Sequence, residues 1–245
     1  MDRVFVSPEC FEEDRAAIAG AERHHLADVL RVQSGAKFLA TDGLGSEYLL
    51  EADVVTKREI VANILERRDV APAAADVTLA IAPPRGSRMD FAVEKSVECG
   101  VSRIVPLLAD RSVLKGKNDS ARTERWLRLA RSAVAQSGRA HVPEIAPVVK
   151  VAEALEGAAA RGRVLVAHPG PDAHSIPEQM SRHSDPVTIF VGPEGGFTDA
   201  ELEECRRIGA AQVSLGPTRL RTETAGIVAV ALALAARSEA AVDEG

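Results

Sequence analysis

The chain has 245 residues, 46% hydrophobic and 27% charged, enough to bury one large core or two modest ones. Its three cysteines, Cys10, Cys99 and Cys205, are far apart and form no CxxC pair, which argues against a zinc site or disulfide frame and for a reducing, cytoplasmic setting. A net charge of −6 excludes a uniformly basic protein, no apolar run is long enough to cross a bilayer, and the opening residues lack a secretion-signal pattern.

In chain order, the first part reads as short strands. "RVFVS", "AKFLATDG", "SEYLLEADVV" and "EIVANILER" are rich in apolar and β-branched residues, with turn signals at Asp42-Gly43 and Gly45-Ser46. One helical piece, "AERHHLADVLRV", interrupts them. Its neighbours His24 and His25 point about 100° apart on a helix, so they cannot share a metal, and they read as packing or RNA contacts. The Ala/Pro stretch "DVAPAAAD" reads as a linker, which divides the chain into residues 1–72 and 73–245.

Beyond the linker, "VTLAIAP", "RIVPLL", "RVLVAHP", "VTIFVGP" and "AQVSLGP" are nearly continuous apolar runs alternating with helical segments. Strands buried on both faces imply a mostly parallel sheet covered by helices on both sides. In "RTERWLRLARSAVAQSG", Trp126, Leu127, Ala130, Ala133 and Val134 recur at helical spacing and leave the arginines on other faces. From Arg111 to His141 there are eight Lys/Arg against two acidic residues, a local excess of six. Such a patch suits phosphate contacts, or else is a solvated helix face.

Two strands run into Gly-Pro loops, "FVGPEGGF" and "VSLGPTRLRTETAG". Neither matches a P-loop or a dinucleotide loop. The helix after the first loop starts at Thr198 with Glu201 in capping-box spacing, and its early carboxylates would repel a phosphate. What remains is a pair of loops with little side-chain bulk, either plain strand-to-helix turns or a backbone cradle for a flat, largely neutral heterocycle such as that of S-adenosylmethionine. A helix almost wholly of Ala, Val and Leu follows, with Arg219, Arg221, Thr222, Glu223 and Thr224 just before it.

Taken together, "HHLADVLRVQSGAKFLATDG", "VEKSVECGVSRIVPLLADRSV", "AVAQSGRAHVPEI", "VGPEGGFTDAE" and "LGPTRLRTETAG" resemble, in order, segments of the bacterial 16S ribosomal RNA uridine-N3 methyltransferase family of the SPOUT class. The resemblance implies an α/β protein. It has a small PUA-like β-barrel, which binds RNA, followed by an α/β SPOUT domain with a carboxyl-terminal trefoil knot. It also implies a homodimer that uses S-adenosylmethionine, no metal, and 16S rRNA in the small ribosomal subunit as substrate. Two positions depart from the family pattern: Thr218 stands where an arginine often follows the Gly-Pro, and Val97-Glu98-Cys99-Gly100 replaces Thr-Glu-Leu-Gly.

For the cofactor, the expected residues are His168, Pro169, Gly192, Glu194, Gly195, Gly196, Leu215, Gly216, Leu220 and Thr222. Glu223 is the first candidate for the base that takes the uridine N3 proton, unless it is an ion-pair partner of Arg221; Glu194 is the second. Arg221 is placed to stabilise charge on the uracil oxygens. RNA contacts are expected from Arg3, Arg23, Arg31, Arg111, Arg131, Gln136 and Arg139, with arginine planes or Phe197 covering a flipped base. Two other functions fit the same features: ribose 2′-O-methylation of rRNA, and RNA binding without catalysis in ribosome assembly.

Overall fold

The computed structural model describes residues 1–72, 76–112, 120–170, 173–180 and 185–243, with side chains described through Arg237. Lys115 and Lys117 of the basic run, and residues 73–75 of the linker, lie outside the described residues. The chain divides into two units: Met1–Ala73 with Ala130–Val142, and Ala74–Leu129 with Pro143–Gly245.

The first unit is built on five strands, β1 (Arg3–Phe5), β2 (Arg15–Ala19), β3 (Lys37–Thr41), β4 (Ser46–Val55) and β5 (Glu59–Asp69), in the order β1-β3-β4-β5-β2. Only β1 and β3 run parallel; the other pairs are antiparallel. Along β4, Ser46, Tyr48, Leu50 and Ala52 point inward while their neighbours are more exposed, the period-2 pattern of a half-buried strand. Val4, Ile18, Phe38, Leu50 and Ile60 form the core of this unit. The β3–β4 turn is held by buried Asp42, whose Oδ1 accepts from the backbone N–H groups of Leu44 (2.8 Å) and Ser46 (3.0 Å). The helical piece is a short α1 (Gly20–His24) that widens into a π turn at His25–Val29.

The second unit contains β6 (Val77–Ile81), α2 (Arg88–Cys99), β7 (Arg103–Leu108), the start of α3 (Ser120–Ser137), β8 (Glu144–Ile145), β9 (Val149–Lys150), α4 (Val151–Arg161), β10 (Arg163–Ala167), β11 (His174–Ser175), α5 (Ile176–Met180), β12 (Val187–Val191), α6 (Asp199–Arg207), β13 (Ala211–Ser214) and α7 (Thr222–Asp243). The strands are parallel in the order β11-β13-β10-β12-β6-β7-β8, and β9 also pairs with β7. Every residue of β6 and β12 is buried. Alternate side chains feed two layers. Ala80, Val105, Val166 and Phe190 pack with Leu155 of α4 and Leu202 of α6. On the opposite face lies α7, where Gly226 comes so near the sheet that a Cβ would sit 3.0 Å from Ile81 and 3.2 Å from Leu79. Helix α2 packs beside α7 and ends at Gly100, the left-handed residue whose N–H caps Ser96 and Val97. The Cys99 departure therefore falls on an exposed helix end.

Candidate active site

Three neighbouring strands, β13, β10 and β12, end side by side, and their following loops enclose a cavity of about 530 Å³. This is the crevice at the carboxyl ends of parallel strands, where ligands bind in open α/β sheets. All ten residues expected at the cofactor line this one cavity: His168 and Pro169 after β10; Gly192, Glu194, Gly195 and Gly196 after β12; and Leu215, Gly216, Leu220 and Thr222 after β13. Arg221 lines it as well, as do Thr218 and Arg219, the two residues at the departure from the family pattern.

The first loop is shaped by its glycines. Gly196 adopts φ +71° and closes a turn by donating to Pro193 O at 2.8 Å. Thr198 then starts α6 with a capping box: its hydroxyl accepts from Glu201 N, and Glu201 returns a carboxylate oxygen to Thr198 N at 2.7 Å. The other Glu201 oxygen accepts from Asp110 N at 2.9 Å, which ties the turn after β7 to this helix start. From that turn Arg111 donates through Nη1 to the carbonyls of Gly195 (2.9 Å) and Phe197 (3.3 Å). The second loop contains Gly216 at φ +120°. It is joined to the first by Thr222, whose hydroxyl donates to Gly192 O at 3.2 Å.

Glu194 is the acidic residue of the cavity wall, which also includes Arg111, Arg219 and Arg221. Arg219 and Arg221 make no ion pair among the described residues. Glu223 does not line the cavity. It is buried, with its Oε1 3.8 Å from Arg88 Nε and its Oε2 without a hydrogen-bond partner. Its cationic neighbour is thus Arg88, in place of the Arg221 expected from sequence. Arg88, the first residue of α2, and Arg85, just before it, belong to no sequence motif; the local signal is two arginines flanking Gly86-Ser87.

Six of the seven expected RNA contacts lie in the first unit. The segment 130–142 carries Arg131, Gln136 and Arg139 to it: Arg131 sits 4.8 Å over the Phe5 ring, and Arg3 donates to Arg139 O at 3.3 Å. Burial pushes the Arg139 guanidinium below its ordinary value, whereas Gln136 is exposed. Arg3 is also paired with Glu47, and Arg23 with Asp28 at 2.6 Å. Arg31 is exposed and takes φ +57°. The seventh, Arg111, holds the glycine loop as described. Phe197 is 4% exposed and part of the core, so it is not free to cover a flipped base.

Residues 18–65 match the RNA methyltransferase PUA domain family, and residues 71–234 match the RNA methyltransferase domain family. The ribosomal RNA small subunit methyltransferase E of Mycobacterium bovis is 33% identical over 223 residues, 88% of this chain and 84% of that protein. The chain belongs to this RNA methyltransferase family. The family's Bacillus subtilis enzyme of the same name is 28% identical over 94% of each chain. A crystal structure of the Neisseria gonorrhoeae ribosomal RNA small subunit methyltransferase E bound to S-adenosyl methionine superposes with a TM-score of 0.85 at 30% identity, covering 94% of this chain and 96% of that one.

Proposed function

We propose that this methyltransferase moves the methyl group of S-adenosylmethionine to N3 of a uridine in 16S rRNA of the small ribosomal subunit. It acts in the cytoplasm as a homodimer, with its carboxyl-terminal chain threaded as a trefoil knot. The observation that carries the reading is the single cavity formed by the three loops, in a chain that belongs to an RNA methyltransferase family. The lining fits the cofactor: small glycine backbone lets a flat base approach closely, and Arg219 or Arg221 meets a carboxylate.

When bound, the cofactor supplies a methyl group activated on a sulfonium. The protein's part is mainly positioning, because an in-line displacement needs the acceptor nitrogen and the methyl aligned. The uridine N3 proton must also leave, and a positioned acceptor is worth about 10²–10⁴-fold. Glu194 is the carboxylate that lines the cavity, so it takes this role, and Glu223 shares its neighbour Arg88. Arg221 donates to the uracil oxygens as charge develops there. Residues 1–72, together with Arg131, Gln136 and Arg139, hold the rRNA, and residues 73–245 carry out the transfer.

The test is nucleoside mass spectrometry on small-subunit rRNA after incubating unmethylated subunits with the protein and S-adenosylmethionine. New 3-methyluridine is the expected product. A 2′-O-methyl nucleoside would overturn the N3 assignment, and no methylated nucleoside at all would overturn the proposed substrate.

A further inference from the structure

Arg88 occupies a place that its own helix disfavours. It is the first residue of α2, where the positive end of the helix dipole opposes a cation. Departures from local preference of this kind call for a compensating partner elsewhere. Here there are two. Arg88 Nη1 lies 3.7 Å from Glu194 Oε1, and Arg88 Nε lies 3.8 Å from Glu223 Oε1. The Arg85 N–H donates to the same Glu194 oxygen at 3.4 Å. The short segment 85–88 thus faces one carboxylate from each glycine loop region. Glu223 is only 7% exposed, its Oε2 has no hydrogen-bond partner among the described residues, and the cation beside its Oε1 is Arg88.

We infer that Arg88 is a positioning residue, a shared counter-ion that holds the loops around Glu194 and Glu223 at the spacing the methyl donor requires. The inference rests on the cofactor site proposed above. Arg88 does not line the cavity and acts through Glu194, which does. The Thr222–Gly192 hydrogen bond ties the same two loops a second time, so the pair behaves as one cradle.

A charge cycle on the full chain tests this, with Arg88→Met, Arg88→Lys, Glu223→Gln and the double variant R88M/E223Q. Each is measured for S-adenosylmethionine affinity by calorimetry and for its thermal midpoint without ligand. R88M weakens binding on the order of tenfold. R88K recovers most of that loss. The double variant binds more tightly than R88M, because the unpaired buried charge is gone, and the ligand-free midpoints follow the same order. A double variant as weak as R88M or weaker, or an R88M that binds like the wild type, overturns the inference. Absence of cofactor binding by the wild type overturns the cofactor site instead, and the ligand-free midpoints still decide whether the shared pairing exists.

Discussion

At Gly195 an added side chain would meet Arg111. An added Cβ would lie 3.4 Å from both Cβ and Cδ of Arg111, an ordinary contact that the backbone survives. The further methyls of a valine must press on Arg111 or enter the cavity. Gly195→Val is therefore expected to weaken S-adenosylmethionine binding on the order of tenfold or more, a step of about 1.4 kcal/mol, with little change in thermal midpoint. Unchanged affinity in calorimetry would remove this loop from the cofactor site. Gly195 was singled out in the sequence as part of a loop with little side-chain bulk after an apolar strand, and it lines the cavity. Arg88 was not legible, because its partners come from two distant loops. Glu47 shows the same limit: burial alone would raise its carboxyl, but hydrogen bonds from Arg3 and Arg68 hold it below the ordinary value. Cys205 was open to sequence reasoning as a free thiol, and burial pushes it up to about 11, an inert core residue.

At the scale of elements, helix starts and alternating strands were the most readable features. The spacing of Thr198 and Glu201 announces a capping box, and the structure contains it. Thr198→Ala removes the acceptor for Glu201 N and should cost about 1 kcal/mol, lowering the thermal midpoint by roughly 2–4 °C in a chain of this size. Differential scanning calorimetry would check this; no shift would mean that the cap is not limiting. Strand β4 was visible through its alternation, and α3 through the buried stripe of Trp126, Ala130, Ala133 and Val134. Strand β2 was not visible. Its "RAAIA" has three alanines and little β preference. It is a strand because it pairs with β5, from Arg15 opposite Asn63 to Ala19 opposite Glu59.

At the scale of the whole molecule, the proposed homodimer has a candidate surface on α7. Ala231 and Ala235 are exposed there, and Ile227, Val228 and Leu232 are half-buried, on a helix almost wholly of Ala, Val and Leu. Sedimentation should give about twice the chain mass of 26.0 kDa. Ala231→Arg would place a charge on each side of a two-fold contact and should yield a folded monomer. A wild-type mass of one chain would refute the dimer. The sequence by itself determined the strand-rich start, the parallel α/β remainder and the glycine loops, because alternation, caps and tight turns arise from residues a few positions apart. Only the tertiary structure decided that residues 130–142 join the first unit, that Glu223 turns from the cavity toward Arg88, and that Phe197 belongs to the core. Those outcomes follow from strand order and register, which bring together side chains that no local pattern relates.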